Sequence, residues 1–123
     1  AGNSWSLDGT TTTGSVQCGT DIIAGSASNR TGFQFVFKGA PGAGTYTVEP
    51  ATSRAARPMA DGGVVVSYGS DPAGGTKVEQ VGQSGTITVD LVGGKLHAKA
   101  VAIPAKDLAT STAGTIAGDL TCP

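Results

Sequence analysis

The chain has 123 residues, enough for one domain, with 8 Lys and Arg against 9 Asp and Glu and a net charge of −1. That balance argues against a nucleic-acid partner or an anionic membrane surface, both of which need a basic face, and no apolar run reaches the ~18 residues of a membrane helix. Leu, Ile, Val and Phe supply 24 residues, near the ~20% below which chains tend to disorder, but disorder also needs a high net charge, which is absent here. The 20 glycines and 16 threonines fit short strands joined by tight turns. The opening Ala1-Gly2-Asn3-Ser4 carries no secretory signal, so the chain reads as a mature product.

Strand-like runs recur about every dozen residues, the spacing of a sandwich or barrel. Residues 4–7 form the first, with Trp5 in the core and Asp8-Gly9 as a turn; 10–18 and 22–25 follow. Phe33, Phe35 and Phe37 share one face of a core strand, and Pro41-Gly42-Ala43-Gly44 turns it into a strand over 45–49. Residues 50–63 have no strand period and read as a long loop with a helical turn at 53–57, a length that is often functional. Strands over 64–68 and 76–81 flank a loop at 71–75.

The hairpin over 86–103 is the most sharply defined element. Gly93-Gly94 suits a two-residue primed turn, because both central residues need positive φ. That register sets Leu91 opposite Leu96, Val89 opposite Ala98 and Ile87 opposite Ala100 on one face, and Asp90 opposite His97 and Thr88 opposite Lys99 on the other. A final strand over 115–122 closes a fold expected to be an all-β antiparallel sandwich, two sheets of about eight or nine short strands in one domain spanning 1–123.

Cys18 and Cys122 are the only cysteines, at opposite ends of the chain. Bridged, they close a loop worth roughly 4–5 kcal/mol on the chain-entropy model, which points to an oxidising compartment. Cys18 shares its parity with Val16, and Cys122 with Ile116 and Leu120, so the bridge is expected to be a buried core staple.

Candidate chemistry is sparse. His97 is the only histidine and reads as a surface cross-strand partner of Asp90; the carboxylates sit singly in turns, so no catalytic residue, metal or cofactor is assigned. Asn29-Arg30-Thr31 matches a glycosylation acceptor but reads as an ordinary turn. The long loop holds Arg54, Arg57 and Met59, two guanidinium groups beside a thioether, which form the candidate ligand-binding set.

Leu7-Asp8-Gly9, then Thr13-Gly14-Ser15-Val16-Gln17-Cys18, resembles the start of the folded domain in LpqH-type mycobacterial surface lipoproteins. Gly63-Val64-Val65-Val66-Ser67-Tyr68, Lys95-Leu96-His97-Ala98-Lys99-Ala100 and the closing Leu120-Thr121-Cys122 are similar to later strands of that family. The resemblance implies a secreted or envelope-displayed antigen-like domain without catalysis. This chain lacks the family's lipidated N-terminal cysteine and the polar linker after it, and the family offers no ligand motif to carry over. The expected function is a non-enzymatic binding module, secreted or on the extracellular face of a cell envelope. A groove rimmed by the Arg54 to Met59 loop would accept a lipid, glycan or protein partner. The alternative is a self-associating subunit of a surface filament or layer, with strands 45–48 and 64–68 as unguarded edges.

Overall fold

A computed structural model describes residues 3–54, 56–71, 75 and 77–123. Among these there are eleven strands and no helix. In chain order they are β1 (Ser4–Leu7), β2 (Thr10–Thr13), β3 (Ser15–Cys18), β4 (Ile22–Ser26), β5 (Thr31–Phe37), β6 (Gly44–Val48), β7 (Gly63–Ser70), β8 (Val78–Gly82), β9 (Thr86–Val92), β10 (Lys95–Asp107) and β11 (Ala113–Thr121). The sequence expectation of β structure from Thr76 and a loop over 71–75 falls partly outside the described residues.

The all-β class stands, but the strands do not form two separate antiparallel sheets. Hydrogen bonding runs continuously through one mixed sheet in the order β2-β1-β11-β10-β9-β6-β7-β5-β4-β3, and β6 pairs with β7 in parallel. The physical reason lies in β8. One edge of β10 is taken by β11, and the other is shared between β9 at Lys95–Lys99 and β8 at Ala105–Asp107. Strand β7 likewise gives one edge to β5 and divides the other between β6 and β8. A closed circuit β10-β9-β6-β7-β8 results. The long β10 turns that corner with a register shift between Ala100 and Ile103, where Ala102 takes φ 51° and Val101 is thrown outward.

The sheet folds over so that its inner surfaces meet. Trp5, Phe33, Phe35, Phe37, Ile116 and Leu120 fill the space between, each 1% exposed or less. Close approach is bought with missing side chains: a methyl at Gly25 would strike the Trp5 ring, and one at Gly118 would strike Phe33. Phe37 meets Tyr46 edge-on with ring centroids 5.0 Å apart.

The hairpin forms in the expected register, with Leu96 opposite Leu91, His97 opposite Asp90, Ala98 opposite Val89 and Lys99 opposite Thr88. Gly93 and Gly94 both take positive φ, 58° and 79°. Leu91 is nevertheless exposed, because the hairpin tip runs beyond the core.

Strands β2 and β3 are two halves of one extended stretch that changes partner at Gly14, from β1 to β4. Cys18 and Cys122 are bridged, with Cα atoms 5.9 Å apart. The bridge is not the buried staple that parity implied. Cys18 is exposed and Cys122 only half-buried, because β1 begins at Ser4 and, among the described residues, no strand lies between β3 and β11 beyond that point. The disulfide takes over there, with Cys122 N–H donating to the Leu96 carbonyl at 2.8 Å. The segments expected as bare edges, 45–48 and 64–68, are interior strands; the edges are β2 and β3.

Candidate functional site

Strand β7 is buried along both faces, which explains its unbroken Val64-Val65-Val66 run. Val64 and Val66 enter the main core, while Val65 faces outward and joins Val36 and Val81 in a second apolar cluster. Ala51, from the segment 50–62, packs on that cluster with Ile22. The long loop is a cover for the outer face of β5, β7 and β8.

Polar contacts hold the cover down. The Glu49 carboxylate accepts the N–H groups of Met59 (2.8 Å) and Ala60 (3.0 Å), which pull its pKa below the usual carboxylate value. Arg57 pairs with Asp21 of the β3–β4 turn. Gln34 Nε2 donates to the Arg54 carbonyl at 2.6 Å, and Arg54 Nε donates to Ser67 Oγ at 3.2 Å. Of the helical turn expected over 53–57, one hydrogen bond is described, Ala56 N–H to the Ser53 carbonyl; Ala55 lies outside the described residues.

The three residues proposed from sequence therefore do not converge. Arg57 is engaged with Asp21, Met59 projects into solvent at 87% exposure, and Arg54 alone turns inward across the sheet. The loop's anchors point to three different neighbours, so its sequence proximity is not spatial convergence.

Arg54 reaches a trough that sequence reasoning missed. On the outer face, Ser26, Gly32, Gly69 and Glu79 stand in register across β4, β5, β7 and β8. The two central glycines leave a gap without side chains between flanking strands about 14 Å apart, three strand spacings. The Arg54 guanidinium lies in it; a methyl group at Gly69 would collide with Nη1. Burial lowers the Arg54 pKa, and the charge of Glu79 partly counters this. Around it an open cleft of about 280 Å³ is lined by Arg30, Thr31, Ser70, Asp71 and Lys77 among others. Lys77 pairs with Glu79 at 3.5 Å, whereas among the described residues neither Arg30 nor Arg54 has a carboxylate within ion-pair distance. The sequence carried little sign of it, because Gly32 and Gly69 only flank the expected strands, one just before Phe33 and one just after Tyr68, and the structure extends both strands to include them.

His97 has two acidic partners where one was expected. Nδ1 lies 2.6 Å from Asp90 Oδ1, and Nε2 lies 2.5 Å from Asp119 Oδ1 on β11. Partial burial pulls the His97 pKa down, but hydrogen bonds to Asp119 and Asp90 more than offset it, and the net shift is upward. Both ring nitrogens thus face carboxylate oxygens, one on β9 and one on β11. Among the described residues no group of His, Cys, Asp and Glu is arranged to hold a metal ion, and no helix is long and apolar enough to cross a membrane.

No family model, curated protein or solved structure matches this chain.

Proposed function

We propose that the protein is a non-enzymatic interaction module that works outside the reducing cytosol and recognises its partner through the outer-face trough at Arg54. The observation that carries this reading is a half-buried guanidinium, seated on glycine backbone and open to a cleft, with no acidic partner at ion-pair distance among the described residues. A charge taken partly out of water is stabilised by an arriving anion, so the site is set up to receive one. The exposed disulfide supports an oxidising setting, and the resemblance of both chain ends to LpqH-type lipoproteins is the ground for a place on a cell envelope. The interior offers a poorer route to a lipid, since the space between the layers is filled by aromatic and branched side chains. Native mass spectrometry of protein recovered from its natural source should show a partner that dissociates as salt is raised. Recovery as a bare chain, with no partner captured at low salt, overturns the reading.

Self-association is the second reading, favoured by one observation. The β2–β3 edge runs through residues 9–20 without a charged side chain, so two copies can approach there without like-charge repulsion. Sedimentation equilibrium across a wide concentration range separates the two, because a monomer throughout excludes assembly through this edge.

A further inference from the structure

We infer that the Arg54 trough takes a single sugar acid, a pyranose carrying one carboxylate; this rests on the module reading and names its ligand. The first ground is charge. Arg30, Arg54 and Lys77 are set against Asp71 and Glu79, so the cleft has a small positive excess within a chain of net charge −1. That suits one anionic group and disfavours a densely sulfated chain, whose binding depends on an extended basic surface.

The second ground is geometry. The Arg54 guanidinium lies on the Gly32–Gly69 floor, held from behind by Ser67, and presents a planar fork that matches the two oxygens of a carboxylate. Arg30 at the mouth is exposed and adds charge without a fixed fork. Its backbone is set by the β4–β5 turn, where Arg30 takes φ 64° and its carbonyl accepts the Asp71 N–H at 3.1 Å. The turn thereby ties the two charged walls together.

The third ground is the remaining lining. Ser26, Ser70, Asp71 and Glu79 offer hydroxyl and carboxylate oxygens, which are donors and acceptors for the ring hydroxyls of a sugar. Apolar lining is limited to small or half-covered groups such as Ala27 and Val78. A peptide partner would need an apolar or aromatic anchor pocket, and the cleft supplies none among its described residues.

The test is an amide and Arg Nε NMR titration of the whole chain with sodium glucuronate, with glucose, an N-acetyl-aspartate methylamide and a heparin fragment as the other arms. Glucuronate is expected to shift Gly32, Gly69 and Arg54 Nε, and glucose at the same concentration to shift none of them. Arg54→Ala should weaken glucuronate binding about tenfold or more, as loss of a charge-assisted fork does. Gly69→Ala keeps the charge but fills the guanidinium's seat, so it should cost a similar factor. Both variants should retain the dispersed wild-type spectrum elsewhere; Lys77→Ala, an exposed change that leaves the cover untouched, serves if either unfolds, and should weaken binding less. The inference is overturned if glucuronate leaves the trough unshifted, if the substitutions leave its affinity unchanged, or if the aspartate or heparin probe binds more tightly. Should glucuronate fail while a natural partner is still captured and released by salt, the ligand is wrong and the module reading stands. Failure of both removes both.

Discussion

The outer faces of the two halves of this sheet are built from the same strand geometry and treated in opposite ways. Over β9, β10 and β11 the outer face is left to water, and the sequence alternates: Ile87 and Val89 go in, while Thr86, Thr88 and Asp90 go out. Over β5, β7 and β8 the outer face is covered by the 50–62 segment, and the alternation dissolves into a valine run. A cover costs the sheet its solvent face but creates somewhere to seat a charge away from bulk water. Arg54 occupies that place, whereas His97 on the open face merely bridges two carboxylates.

The largest test severs the two halves. The disulfide joins β3, on the covered side, to β11, on the open side, across a sequence separation of 104. Cys18→Ser with Cys122→Ser is expected to lower unfolding free energy by about 4–5 kcal/mol on the chain-entropy model, read from urea denaturation. A loss under ~1 kcal/mol would mean that the remaining ladders already hold the ends together.

Next comes a matched pair of swaps. Val65→Thr places a hydroxyl among Val36, Val81 and Ala51, and should cost about 1–3 kcal/mol. Thr88→Val on the open face should stay within about 0.5 kcal/mol of the parent. Equal costs would show that the loop does not exclude water from the covered face.

Smaller effects appear in pH. Because the folded His97 pKa is raised, its contribution to stability is complete below the unfolded pKa of about 6.5 and is lost as pH rises through the higher folded value. An NMR titration of the His97 ring should place the midpoint above 6.5, and Asp119→Asn should move it down. A wild-type midpoint at or below the ordinary value would contradict the double bridge. Glu49 runs the other way. Its depressed pKa makes the hold on Met59 and Ala60 complete above the unfolded carboxylate value, and the hold weakens as pH falls through the folded one. The amide signals of Met59 and Ala60 should therefore titrate together at acid pH; if they are flat there, the pin is absent.

Local rules were legible wherever neighbours in sequence are neighbours in space. The Gly93-Gly94 turn and the pairing of Asp90 with His97 depend only on φ preference and on matching two adjacent strands. The three phenylalanines of β5 pointed to the core for the same reason. Asp119 was invisible as His97's second partner because it comes from β11, whose register is set by packing against β1 and β10. The grouping of Arg54, Arg57 and Met59 failed for a related cause: a loop's side chains follow its separate anchors, not its sequence order.

By itself, the amino-acid sequence determined the all-β class, most strand positions, the central hairpin with its register and the two cysteines that bridge. Those follow from side-chain period, turn stereochemistry and count, which are local properties. Tertiary structure alone decided that the strands close into one mixed sheet through β8 and that the disulfide stands at a surface gap. It also turned the long loop into a lid and aligned Gly32 with Gly69 beneath Arg54. Each of these depends on which distant strands come to share an edge, and that choice is made by the burial of a whole face, to which no single segment holds the key.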